Sequence, residues 1–213
     1  MPDRVKRDYR SDLRTEQSQR TRRDVVAAAA QLFVEQGYGG TTMDAIAETA
    51  GVSRKTVFTA VGGKAELLKT ALDWAVAGDD RPVSLTDRAE TRRVLDESDA
   101  TALLTGWVAM LTAIDARTAA LFHVLEAAAG VDDDARALLE ESQRSRHRGA
   151  TDIVTRLIDL NALRPDLTQD DAVDIAWLAG DPILFDRLVR SRDWTAERFA
   201  DWLGAMLAGQ LLA

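Results

Sequence analysis

The 213 residues suffice for one large domain, or for a small domain joined to a larger one, and 46% apolar residues allow a substantial core. The absence of cysteine excludes disulfides, thiolate metal sites and a cysteine nucleophile. No stretch of about 18 uncharged apolar residues occurs, and no apolar segment follows the Arg-rich start, so neither a membrane span nor a secretory signal is expected and the expected address is the cytoplasm.

The formal charge of −8 argues against a nucleic-acid partner until its distribution is read. Residues 1–23 hold eight basic and four acidic side chains, residues 1–75 carry +2, and the remaining 138 carry −10. A basic end on an acidic body suits a protein that offers only one end to DNA.

In chain order, residues 1–18 read as a basic, flexible arm or simply a solvated tail, and everything after them reads as helix. Residues 22–36 place Val25, Val26, Ala29, Leu32 and Phe33 on one face, and Gly37 ends that helix. Thr42 caps a short helix over 43–49, Gly51 supplies a turn, and Ser53 caps a second short helix over 53–60. Gly62-Gly63 precedes a longer helix over 64–77. A polar stretch over 78–98 allows only a short helix near 86–95. Helices are then expected over 100–114, 117–129 and 133–160, followed by one over 168–191 interrupted at Gly180-Asp181-Pro182. There proline removes a backbone donor, and Asp181 is placed to cap a new start. Thr195 caps the last helix. The predicted fold is therefore all-α: an arm (1–18), a three-helix head (19–63) and a helical body (64–213).

Two short helices joined by a glycine turn and flanked by a helix on each side form the pattern of a helix-turn-helix. Small residues (Ala47, Ala50, Val52) let the two helices cross closely, Val57 and Val61 anchor the second, and Arg54, Lys55, Thr56 and Thr59 are left to face outward. Arginine and lysine donate to guanine O6 and N7 in the major groove, and hydroxyls reach bases or phosphates. The helix starts at Thr42 and Ser53 offer backbone N–H groups to phosphate.

Residues 22–69 closely resemble the N-terminal domain of TetR-family regulators. The likeness rests on Ala30, Leu32 and Phe33, on Gly37-Tyr38, Thr41-Thr42, Ile46-Ala47 and Ala50-Gly51-Val52-Ser53, and on Thr56-Val57-Phe58 and Gly63-Lys64 followed by Leu67-Leu68. The resemblance implies DNA contacts at Thr42, Ser53, Arg54, Lys55, Thr56, Phe58 and Lys64. Phe58 stands where the family usually has Tyr, and Ala60 where it has His or Tyr; each lost phosphate hydrogen bond is worth about 1 kcal/mol. The resemblance further implies a regulator, usually a repressor, reading a palindromic operator as a homodimer and released by a small-molecule effector.

The body supports a dimer independently. Phe199, Trp202, Leu203, Met206 and Leu207 form an apolar stripe on the terminal helix, and Ile175, Leu178 and Phe185 lie just before it; the stripe serves either a partner or the chain's own core. An effector pocket is expected around Trp107, Met110, Leu111, Phe122 and Leu125, with Gln143, His147 or Thr151 supplying polarity, although the same set also fits plain core. The two histidines lack metal-ligand spacing, Gly62-Gly63-Lys64 lacks the spacing of a phosphate loop, and no G-x-S-x-G elbow occurs. Asp132-Asp133-Asp134 suits a helix start better than a cation site. No catalysis and no cofactor are expected. The rival reading is a non-catalytic interaction protein of the same fold with weakened or lost DNA binding, for which Phe58 and Ala60 are the support.

Overall fold

The computed structural model describes residues 3–213, with side chains from Thr15 onward. The chain divides into two compact units, Met1–Asp73 and Trp74–Ala213. The boundary falls inside a helix, ten residues beyond the head limit expected at residue 63.

The first unit begins with α1 (Asp3–Gly40). The backbone is helical from Asp3, and the basic side chains up to Arg14 of the arm expected over 1–18 lie outside the described residues. The helix breaks where the sequence places its stop. Gly37 adopts φ 73°, which costs a residue without Cβ little, and both the N–H and the hydroxyl of Thr41 donate to its carbonyl at 3.2 and 2.8 Å. Two short helices follow, α2 (Met43–Thr49) and α3 (Arg54–Ala60), then α4 (Lys64–Ala77). Val25, Val26, Ala29 and Phe33 of α1, Ile46 and Ala47 of α2, Val57 of α3, and Leu67 and Leu68 of α4 form one buried core. Phe33 stacks on Tyr38, ring centroids 5.7 Å apart.

The second unit continues with α5 (Ala89–Leu95), α6 (Ala100–Ala129), α7 (Asp133–Asp159), α8 (Gln169–Ala179), α9 (Pro182–Phe185), which runs on into a π-helical turn over Asp186–Arg190, and α10 (Ala196–Leu211). Residues 100–129 form one continuous helix, where the sequence predicts two. No proline or glycine breaks the backbone between the two expected segments, and Asp115 is buried there. By length and composition α6 would cross a membrane. Instead it places Leu103, Trp107, Val108 and Leu125 in the core, against α7, α9 and α10.

The expected caps are present. Asp132 accepts from Ala135 N–H (3.0 Å) at the start of α7, and Asp133 pairs with Arg136, so the triple aspartate serves a helix N-terminus. Gly180 ends α8, and Asp181 accepts from Ile183 N–H (3.0 Å), with Pro182 in the first turn of α9.

Candidate nucleic-acid interface and effector cavity

The turn between α2 and α3 is built by local chemistry. Thr42 Oγ1 accepts from Ala45 N–H (3.1 Å) at the start of α2. At its end, Gly51 N–H donates to Glu48 O and Val52 N–H to Ala47 O, the paired bonds of a Schellman cap, with Gly51 at φ 66°. Ser53 Oγ accepts from Thr56 N–H (3.1 Å) and opens α3 two residues later. Glycine is thus required at position 51, because a side chain there would be strained in the left-handed conformation that closes the cap.

On α3, Val57 is fully buried, which turns the opposite face outward. Arg54, Lys55, Phe58 and Thr59 are exposed and Thr56 is half-buried. Arg54 donates to Asp44 of α2 (3.0 Å) and lies over the Phe58 ring at 5.8 Å. Both partners of this ion pair are more than half exposed, so the contact is weak and readily exchanged. Lys55 has no side-chain partner among the described residues. Thr59 Oγ1 bonds back to Lys55 O (2.9 Å), and Thr56 Oγ1 lies 2.8 Å from Ser53 Oγ.

Lys64 sits differently. Its ammonium donates to Tyr38 O (2.6 Å) and Thr41 O (3.1 Å) and lies 4.3 Å from the centre of the Tyr38 ring. It therefore ties the first turn of α4 to the end of α1, with one proton left for an outside partner. Replacing Lys64 by Met strands two carbonyls and removes the cation–π contact. The expected loss is about 1–3 kcal/mol of stability in the first unit, read as a lower denaturation midpoint by circular dichroism.

Residues 25–71 match the family model for bacterial regulatory proteins of the tetR family. This likeness to the tetR family is carried by the N-terminal domain. A Pseudomonas putida protein described as a probable HTH-type transcriptional regulator, ArpR, is 30% identical over 139 residues, 64% of this chain and 65% of its own length. The HTH-type transcriptional regulator TtgR of the same species is 40% identical over 58 residues, 27% of this chain and 28% of its own. The chain thus spans less than two thirds of these relatives. Among solved structures, NalD of Pseudomonas aeruginosa, titled the secondary repressor of the MexAB-OprM multidrug efflux pump, has a TM-score of 0.69 at 18% identity, covering 92% of this chain and 98% of that one. At that identity the likeness extends the TetR fold, and the fold alone, to the second unit.

That second unit contains a cavity of about 520 Å³. It lies among the last residues of α4, the 79–88 connection, α5 and the first half of α6, with an apolar wall that includes Val76, Leu85, Val94, Met110 and Ile114. At one side Asp79 accepts two hydrogen bonds from Arg88 (both 2.8 Å) and one from Arg81 Nε (2.8 Å). The guanidinium of Arg88, and then that of Arg81, hold the Asp79 carboxyl far below the usual carboxylate range. Arg117 donates to Ala75 O (2.7 Å) and Val76 O (3.1 Å) at the end of α4, where cationic donors suit the free carbonyls.

Of the eight residues expected to form a pocket, Met110 alone lines this cavity. Trp107 and Leu125 belong to the buried core, and Leu111 is half-buried. Gln143 and His147 are exposed, so most of the polar middle of α7 is a solvated face. Thr151 bonds back to His147 O. Phe122 and Gln143 border a separate cleft with room for about one water, which Arg146 and Asp181 also line. Arg146 is the exception on α7: it turns inward, pairs with Asp181 (3.0 Å) and lies near the Phe122 and Trp177 rings. Its own Nε, Asp115 Oδ2 and Trp177 Nε1 are buried without hydrogen-bond partners, as is Thr112 Oγ1 three residues before Asp115. Sequence periodicity could not find this cluster, because an arginine in a charged run and an aspartate in an apolar run give no sign of facing each other.

The stripe expected at a dimer interface divides in two. Phe199, Leu203, Leu207 and Phe185 are buried in the unit's own core. Ile175, Trp202 and Met206 are half-buried, and Leu178 is 62% exposed.

Proposed function

We propose that this protein is a sequence-specific DNA-binding transcriptional regulator, acting as a repressor that a small-molecule effector releases from a palindromic operator. The observation that carries the DNA-binding half is the capped α2–turn–α3 unit, which holds Arg54 and Lys55 on the exposed side of a helix anchored by the fully buried Val57. An α-helix presented in this way fits the major groove, and side chains near its N-terminus reach base edges. Ser53, Thr42 and Thr59 serve phosphate or base contacts beside them. Phe58, 47% exposed, packs on the sugar–phosphate edge in place of a hydroxyl donor. The effector site in this reading is the 520 Å³ cavity, whose volume suits a small molecule. The reading is non-catalytic and cytoplasmic.

The test is an electrophoretic mobility shift of the full chain with DNA flanking its own gene. A shift that prefers that sequence over scrambled DNA and weakens steeply with salt is expected. Binding without sequence preference, or none, rejects the reading in favour of an interaction protein of the same fold.

A palindromic operator calls for a two-fold dimer, one head per half-site. The surface proposed for it is the edge of α8 and α10 where Leu178 is exposed and Ile175, Trp202 and Met206 are half-buried. Leu178→Glu combined with Ile175→Glu places charge on that edge and leaves the Trp202 ring on the buried Phe199. Sedimentation should report monomers, and an unchanged dimer mass rejects this surface.

A further inference from the structure

We infer that the cavity in the second unit is built for an amphipathic anion, a carboxylate or phosphate head on an apolar body. The inference rests on reading that cavity as the effector site and adds the chemical class of the occupant.

The charge around the cavity runs against the charge of its domain. Trp74–Ala213 carries −10, yet the cavity is lined by four arginines (Arg81, Arg88, Arg93 and Arg117) and three acids (Asp79, Glu90 and Glu97), a local excess of +1. One acid is already spent: Asp79 accepts from two guanidinium groups at once, and Glu90 acts on the same two, so the excess positive charge of the lining falls to Arg93 and Arg117 against Glu97. Arg88 is the built element. Its side chain is only 9% exposed, both terminal nitrogens are fixed on Asp79, and its Nε–H is buried with no acceptor. That Nε–H is closed off from solvent-accessible space, so Arg88 contributes fixed positive charge to the wall and not an open donor. Arg93 also lines the cavity and has no partner among the described residues.

The remaining wall is apolar and close. At Gly106 an added Cβ would stand 3.2 Å from Val94 Cγ2, so the glycine lets α6 and α5 approach behind the cavity. Apolar walls lower the local dielectric and lengthen the reach of the arginines. A ligand with an apolar body and one anionic head uses both parts; a neutral molecule leaves the guanidinium groups unanswered, and a cation meets the wrong sign.

The experiment is isothermal titration of the full chain with four probes that share one chain length: decanoate, decyl phosphate, decanamide and decylamine. Decanoate or decyl phosphate should bind at least ~10-fold more tightly than decanamide, and decylamine weakest, with the anion preference shrinking as salt rises. The better of the two anions names the head group. The double variant Arg81→Gln with Arg93→Gln changes only exposed side chains and turns the lining from +1 to −1. It should weaken the anions by roughly 10-fold or more, and the loss should not fall on decanamide. Decanamide or decylamine binding as tightly as decanoate, or a double variant that binds decanoate unchanged, overturns the anionic class while leaving an effector cavity in place. Binding of none of the four overturns the cavity as an effector site as well, and a mobility shift scored separately keeps both outcomes distinct from failure of DNA binding.

Discussion

Replacing Arg54 and Lys55 together by Ala should abolish operator preference while leaving the head folded. Each side chain is exposed, and neither contributes to the core built from Val57, Ile46 and Phe33. Arg54 is held only by the solvent-exposed pair with Asp44 and by its position over Phe58, contacts worth at most about 1 kcal/mol between them. A guanidinium donating to guanine O6 and N7 is worth about 1–3 kcal/mol of discrimination, so the exchange from Asp44 to a base favours DNA. Losing both residues should cost roughly 2–6 kcal/mol of specific binding if each makes one such contact. Competition mobility shifts with specific and scrambled DNA measure this as a collapse of the ratio between the two affinities. A ratio that survives the double substitution would assign recognition to other residues. The single variant Asp44→Asn should act in the opposite direction. It removes a carboxylate beside the phosphates and frees Arg54, so the affinity for both DNAs rises.

The head was legible in the sequence because its determinants are local. Thr42, Ser53 and Gly51 each act on backbone within three or four residues, and the same holds for Asp181-Pro182 at the start of α9. The second unit was legible only as helix. Phe199, Leu203 and Leu207 have the same spacing whether they face a partner or their own core, and the structure spends them on the core. The cavity of the second unit escaped for a different reason. Its walls come from stretches on both sides of residue 100, and three of its four arginines sit in a charged segment that reads as a solvated connection. Lys64 shows a third limit. Its position in the family pattern implies a DNA contact, whereas its geometry gives two of its three donors to carbonyls at the end of α1.

Asp115→Asn should stabilise the second unit at pH 8 by about 4 kcal/mol, an increase in melting temperature of roughly 10 °C or more. Asp115 is 2% exposed on α6, and Oδ2 has no hydrogen-bond partner. Burial raises its pKa from 3.8 to about 7; the Arg146 guanidinium works against that rise and the Asp181 carboxylate works with it. The sign follows from proton binding. Below about pH 4 the carboxyl is protonated in both folded and unfolded chains, and the residue costs nothing. Between pH 4 and 7 the unfolded chain releases the proton while the folded chain keeps it, so stability falls as pH rises. Above about pH 7 both states are ionised and the full penalty remains. Asn has the shape of the protonated acid and cannot ionise, so the variant and the parent should melt together at pH 4 and separate progressively up to pH 7. All five tryptophans (Trp74, Trp107, Trp177, Trp194 and Trp202) lie in this unit, so their fluorescence follows its unfolding alone. A constant difference at every pH would assign the effect to shape, and a variant less stable at pH 8 would mean that the carboxylate is held by Arg146 more strongly than burial opposes it.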